Sequence, residues 1–160
     1  MPHITHRPVQ PEDISAICRF PQTEEELFFM FPGADYPLTP PQLKEIISKR
    51  ADSTVVLLDG KVAAFANFYQ WEAGGRCAIG NVVVAPEARR KGIARYLVTE
   101  MIRLAFSRYQ AAEVALSCFS QNSAGLLLYS QMGFQPYALE VRTDRHGNPA
   151  PLICMKLLRG

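Results

Sequence analysis

Three cations and a glycine, Arg89-Arg90-Lys91-Gly92, stand between an apolar run ending Val84-Ala85-Pro86 and a long amphipathic segment beginning at Ile93. The first N–H groups of a helix have no partner inside it and lie at the positive end of its dipole, which suits a phosphate. Gly92 and Ala94 leave room for phosphate oxygens at the backbone. Arg89, Arg90, Lys91 and Arg95 place charge around them. Cations at a helix N-terminus are unfavourable by about 0.3–1 kcal/mol each, so a cluster there is better explained by an anionic ligand than by a solvated face. The run is neither G-x-x-x-x-G-K-[ST] nor G-x-G-x-x-G, so neither of those phosphate motifs accounts for it.

Other chemistries are poorly served. Cys18, Cys77, Cys118 and Cys154 are far apart, with no C-x-x-C pair for zinc or a redox dithiol. The last three lie in strand-like apolar runs, where a free cysteine behaves as a small hydrophobe. No metal is expected. A formal net charge of +2 argues against a nucleic-acid partner. Pro2, His3 and Pro8 interrupt the N-terminus and no apolar core follows, so no signal peptide is expected. No apolar run could span a bilayer, so no membrane partner is expected and the expected location is cytoplasmic.

The elements that must position the basic cluster follow from periodicity. With 160 residues, 48% hydrophobic and 20% charged, the chain can bury a full core, and one domain over residues 1–160 is expected. Ile4 to Val9 reads as a strand and Pro11-Glu12-Asp13 as a helix start. Thr39-Pro40-Pro41 opens a second helix. Between them, Leu27 to Phe31 is a dense apolar run, broken at Pro32-Gly33. It reads either as a helix end packed under a loop or as the wall of a substrate pocket. Asp59-Gly60 joins two apolar runs, 54–58 and 61–69, as a hairpin. Residues 77–84 form the next strand. Ile93 to Arg108 carries Ile93, Leu97, Met101, Leu104 and Ala105 on one helical face. Strand 113–118, helix 122–132 ending at Gly133, and strands 134–142 and 150–158 complete the order βααβββαβαββ. Early hairpins and later strand–helix alternation predict an α/β fold with a mixed central sheet flanked by helices.

Arg89-x-x-Gly92-x-Ala94 after Val84-Ala85-Pro86 resembles the acetyl-CoA signature of the GNAT superfamily of N-acetyltransferases. Asn122-x-x-Gly125-x-x-Leu128-Tyr129-x-x-x-Gly133-Phe134 resembles the family's late helix and the strand after it. Arg7-Pro8, Glu12-Asp13, Asp59-Gly60 and Met155-Lys156-Leu157 are similar to the family as well, so the likeness spans essentially the whole chain.

This resemblance implies a splayed strand pair that binds acyl-CoA. The strand Val82-Val83-Val84 would part from its neighbour, its main chain pairing with the pantetheine arm. Arg89, Arg90, Lys91, Gly92, Ile93, Ala94 and Arg95 would cradle the pyrophosphate. Asn122 matches a cofactor-contacting position, with a helix cap as its plainer role. Tyr129 matches a general acid, with a hydrogen-bonded core tyrosine as the alternative. Phe31 and Tyr36 are expected on the acceptor side. Many members carry a carboxylate near the positions of Gly80-Asn81, and this chain does not. Glu72 is then a weak candidate base, alongside Asp35 and water. Gly125 stands where alanine is usual.

The implied function is transfer of an acetyl group from acetyl-CoA, as co-substrate, to a primary amine of a small molecule or peptide, by direct attack in a ternary complex. A catalytically weak CoA-sensing module or a protein-interaction module are the alternatives. The oligomeric state is open, a homodimer included.

Overall fold

The computed structural model describes residues 2–160. Strand β1 (Ile4–Pro8) is followed by three short helices, α1 (Ile14–Cys18), α2 (Glu24–Met30) and α3 (Pro40–Ser48). Then come β2 (Ala51–Leu58), β3 (Lys61–Trp71), β4 (Arg76–Val84), α4 (Ile93–Arg108), β5 (Glu113–Phe119), α5 (Ser123–Gln131), β6 (Gln135–Thr143) and β7 (Pro149–Leu158). The seven strands form one sheet in the order β1-β2-β3-β4-β5-β7-β6. Only the β4–β5 pair is parallel, because α4 makes the crossover between them.

One helix was not anticipated from the sequence order. The apolar run at Leu27 belongs to α2, which begins at an N-cap where Thr23 Oγ1 accepts from the Glu26 N–H at 3.1 Å. Glu24, Glu25 and Glu26 fill its positive first turn. The remaining elements lie within a few residues of their expected bounds. Asp59 (φ 51°) and Gly60 (φ 82°) both adopt the left-handed backbone that the β2–β3 hairpin requires.

Registers beside the parallel pair shape the molecule. β4 pairs with β5 only from Arg76–Glu113 to Ile79–Leu116. Beyond that level β4 stays on β3 as far as Val84, while β5 stays on β7 as far as Phe119. The divergence has a local cause. Between the pairs Phe65–Val83 and Asn67–Gly80, β4 carries one residue more than β3, and Asn81 takes φ 55°. This is a bulge, and a bulge bends its strand and raises its twist.

Strand alternation divides the helices around this opening. Cys118 packs beside Gly125, and Cys77 faces Asp52, which binds Tyr109 just past α4, so α4 and α5 share one face. Phe119 packs on Phe28 and Phe29, and Asn81 binds Met30, so α2 lies on the other face. Phe65, Phe68, Leu97, Met101, Leu116 and Met155 are among the side chains filling the core.

Candidate active site

The opening between β4 and β5 has α4 and α5 on one face and α2 on the other. α4 begins where the chain leaves β4 through Ala85 to Gly92. Its first intrahelical bond runs from the Tyr96 N–H to the Gly92 carbonyl at 3.0 Å, so the N–H groups of Ile93, Ala94 and Arg95 precede any helical partner. Gly92, at the N-cap, has φ 78°, and a Cβ there would meet nothing within 4 Å. The glycine therefore serves backbone conformation and leaves open space before the helix. Arg90 also takes a left-handed φ of 64°. Arg90 and Lys91 are exposed and, among the described residues, have no carboxylate partner.

Arg89 differs from its neighbours. Its guanidinium pairs with Glu26 of α2 at 2.7 Å and reaches the carbonyls of Val84 and Phe20. The same contact pulls the Glu26 carboxyl below its ordinary pKa. Arg89 thus fastens the loop to α2 and, in this arrangement, offers its side chain to protein groups. Arg95 donates to Gln131 at the end of α5 at 2.9 Å, which joins the start of α4 to the helix bearing Tyr129. Val83 is buried against the core, whereas Val82 and Val84 are partly covered. The edge of β4 from Gly80 to Val84 that would face β5 has no strand partner.

Tyr129 is 7% exposed, its ring edge-on to Phe134 with centroids 6.1 Å apart. Its hydroxyl makes no hydrogen bond among the described residues, yet it is not sealed from solvent-sized space. A core tyrosine would have its hydroxyl satisfied. Burial first, and the nearby Cys118 second, push its pKa up. Cys118 itself is pushed up to about 11 by burial, so it stays a thiol at neutral pH.

Asn122 is a helix cap: its Oδ1 accepts from the Gly125 N–H at 3.1 Å. Gly125 now has a steric reason. A Cβ there would stand 2.8 Å from Asn122 Nδ2 and 3.0 Å from Cys118 Sγ.

On the α2 face, Phe28, Phe29 and Phe119 form an aromatic cluster, with Phe28 and Phe119 centroids 4.5 Å apart. They line a cavity of about 360 Å³ closed by the β6–β7 loop, with Glu24, Glu25, Asp144, Arg145 and His146 at its rim. Phe31 packs against the main core, whereas Phe28 and Phe29 line this cavity. The helical turn of α2 sends residues 28 and 29 outward and residue 31 past its end. Tyr36 borders a neighbouring cavity of about 310 Å³ and donates to the Gln22 carbonyl at 3.2 Å.

The structure does not bring Glu72 to the opening. Glu72 is exposed in the β3–β4 turn, at the far end of β4 from Val84. Asp35 is also distant in role, solvent-exposed and paired with Arg145 at 3.0 Å. At the level of Gly80-Asn81 a polar chain stands where a carboxylate would be. Arg50 donates to Asn67 Oδ1 at 3.2 Å, Asn67 donates to Asn81 at 2.9 Å, and Asn81 donates to the Met30 carbonyl at 2.9 Å. A polar Asn67 inside the apolar run Val62 to Phe68, and Asn81 where many relatives carry a carboxylate, were the sequence signals for this chain. Arg50 gave none.

A family model for the acetyltransferase (GNAT) family matches residues 20–134. The chain belongs to that family and is an acetyl-CoA-dependent N-acetyltransferase. Solved structures share its fold at low identity. Spermidine N-acetyltransferase from Vibrio cholerae, in complex with CoA and spermine, is 19% identical, covers 97% of this chain and 95% of its own, and superposes with a TM-score of 0.81. The yncA structure from Salmonella typhimurium, with its cofactor acetyl-CoA, is 20% identical over 98% and 94% of the two chains, at 0.74. Ribosomal-protein-alanine N-acetyltransferase from Brucella melitensis is 18% identical over 97% and 99%, at 0.77. A sequence search of curated proteins finds no match. No helix of the described residues is long and apolar enough to cross a membrane.

Proposed function

We propose that the enzyme moves the acetyl group of acetyl-CoA directly to a primary amine of a small molecule or peptide, both substrates being bound together across the β4–β5 opening. The observation that carries this is the parting of the two strands beyond Ile79 and Leu116. It leaves strand edge free for an extended amide-bearing arm and gives access from both faces. The pyrophosphate sits at the N–H groups of Ile93 to Arg95, with Arg90 and Lys91 supplying charge. Val82 and Val84 offer main-chain groups to pantetheine. Asn122 shapes the adjoining helix start.

The amine enters from the α2 face, past Phe28, Phe29 and Phe119, and attacks the thioester carbon. The carbon–sulfur bond breaks as the carbon–nitrogen bond forms; the nitrogen gives up its proton to water in the opening, the thiolate takes a proton from Tyr129, and water returns a proton to the tyrosine. A thiol of ordinary pKa near ~8.5 would hold this proton weakly. Burial disfavours the charged form of thiol and phenol alike, so the proton moves only as charge develops on the departing sulfur. No cysteine is placed for a covalent intermediate: Cys118 is a buried, protonated thiol whose hydrogen bonds go to main-chain carbonyls.

The test is initial-rate kinetics of thiol release, with acetyl-CoA and a panel of amines varied together. Intersecting double-reciprocal lines and no acetyl-enzyme by mass spectrometry are expected. Parallel lines, or a protein mass increased by one acetyl group after incubation with acetyl-CoA alone, would refute direct transfer.

A further inference from the structure

Three arginines are partly buried: Arg7, Arg50 and Arg76. Arg7 pairs with Asp13 at 2.7 Å and Arg76 with Glu113 at 2.6 Å. Arg50 pairs with no carboxylate among the described residues. Its single side-chain hydrogen bond, to Asn67, leaves most of the guanidinium's five donors unused. A shielded cation without a counter-charge is unfavourable, and natural proteins seldom keep one without a partner.

Its position is specific. Arg50 Nη1 lies 2.7 Å from where a Cβ on Gly80 would stand, so the guanidinium fills space left by that glycine. Gly80 is the first β4 residue past the last β4–β5 pair. The Tyr69 ring backs the guanidinium, 5.4 Å from its carbon, and Asn67 holds one edge. With Nη1 on Asn67 and the Tyr69 ring on one face, Nη2 and Nε have no protein hydrogen bond among the described residues, a pair of donors suited to a bidentate anion. Asn67 in turn bonds Asn81, which bonds Met30, so the fork is on the α2 face.

We infer that Arg50 takes a carboxylate of the acceptor, and that the preferred acceptors are amines carrying a carboxylate beside the amino group. This rests on the α2 face being the acceptor side, as proposed above. The shared chemistry is an α-amine next to a carboxylate. It is met by a free amino acid or by a peptide whose second residue is acidic. The Phe28, Phe29 and Phe119 cluster favours an apolar first side chain.

Four acceptors test it: phenylalanine against phenylalaninamide, and phenylalanyl-aspartate amide against phenylalanyl-asparagine amide. The carboxylate-bearing member of at least one pair should have the higher kcat/KM by about 10- to 100-fold, the range of a hydrogen-bonded charge. Whichever pair shows it identifies the source of the carboxylate. Arg50→Met should abolish the preference with the acetyl-CoA Kd and Tm near those of the parent. Arg50→Lys, which keeps charge but not the fork, should lose most of it, and serves if Arg50→Met folds poorly. Equal rates within both pairs, a preference that survives both substitutions, or no turnover of any of the four would overturn the assignment. Transfer to other amines would then still stand. Failure with every amine would instead refute the acceptor reading itself.

Discussion

Tyr129 is placed for one proton. Its hydroxyl lacks a protein partner, burial raises its pKa, and its neighbours are Phe134 and the protonated Cys118. A raised pKa means that the protonated form persists to higher pH, so no loss of rate from its ionisation is expected below about pH 10. Because the polar chain beside the β4 bulge runs Arg50–Asn67–Asn81 and holds no carboxylate, the rate should rise with pH through the acceptor's own pKa, near ~7.7–8.0 for a peptide α-amine. Tyr129→Phe should lower kcat by about 10²-fold or more while leaving acetyl-CoA affinity unchanged, as measured by stopped-flow and calorimetry. Parent-like kcat with chemistry rate-limiting would make Tyr129 a packing residue. Gly125 has a steric reason that helix propensity alone does not reveal. Glycine costs a helix up to about 1 kcal/mol relative to alanine, yet here a methyl group would press on the Asn122 cap and on Cys118.

At the scale of elements, the β4–loop–α4 unit carries the cofactor reading. Gly92 needs its left-handed φ of 78° and faces open space, so a side chain there meets both backbone strain and the phosphate position. Gly92→Glu adds negative charge as well and should abolish acetyl-CoA binding by calorimetry, with α4 intact by circular dichroism. Unchanged affinity would displace the pyrophosphate from this loop. This unit was legible in the sequence because strand, turn and helix signals are local. So were the Asp59-Gly60 hairpin and the parting of β4 from β5, the latter through resemblance. α2 was not resolved, because Leu27 to Phe31 is apolar on every side and hides its period, although Thr23 and the three glutamates marked a helix start. Arg50 and the Phe28–Phe119 contact were beyond reach for another reason. Each draws residues from strands and helices far apart in the chain, and no spacing records such a meeting.

For the whole molecule, the edge strand β1 is tied to the first helices by Arg7 and Asp13. Asp13 is buried, accepts from Arg7 at 2.7 and 3.0 Å and from the Gln10 N–H at 2.8 Å, and has a pKa held below the usual carboxylate range, chiefly by Arg7. A depressed folded-state pKa contributes stability above the unfolded value near ~3.9, lost as pH falls through the folded one. Asp13→Asn should therefore cost about 1.5–3 kcal/mol at pH 7, with the gap to the parent closing in acid, as read by urea unfolding at several pH values. A constant gap from pH 7 to pH 2 would contradict the linkage. The middle of the sheet has another kind of fastening. Past Ile79 and Leu116 no main-chain bond among the described residues joins the two halves, and α2 bridges them, held to β4 through Asn81 and Met30 and to β5 through Phe119. Seven residues are too few for a helix to stand alone in water. The helix is a strut, ordered only while both footings hold. Its amide protons therefore act as a strain gauge, their exchange quickening when the jaws of the sheet spread and slowing when a bound molecule sets their width.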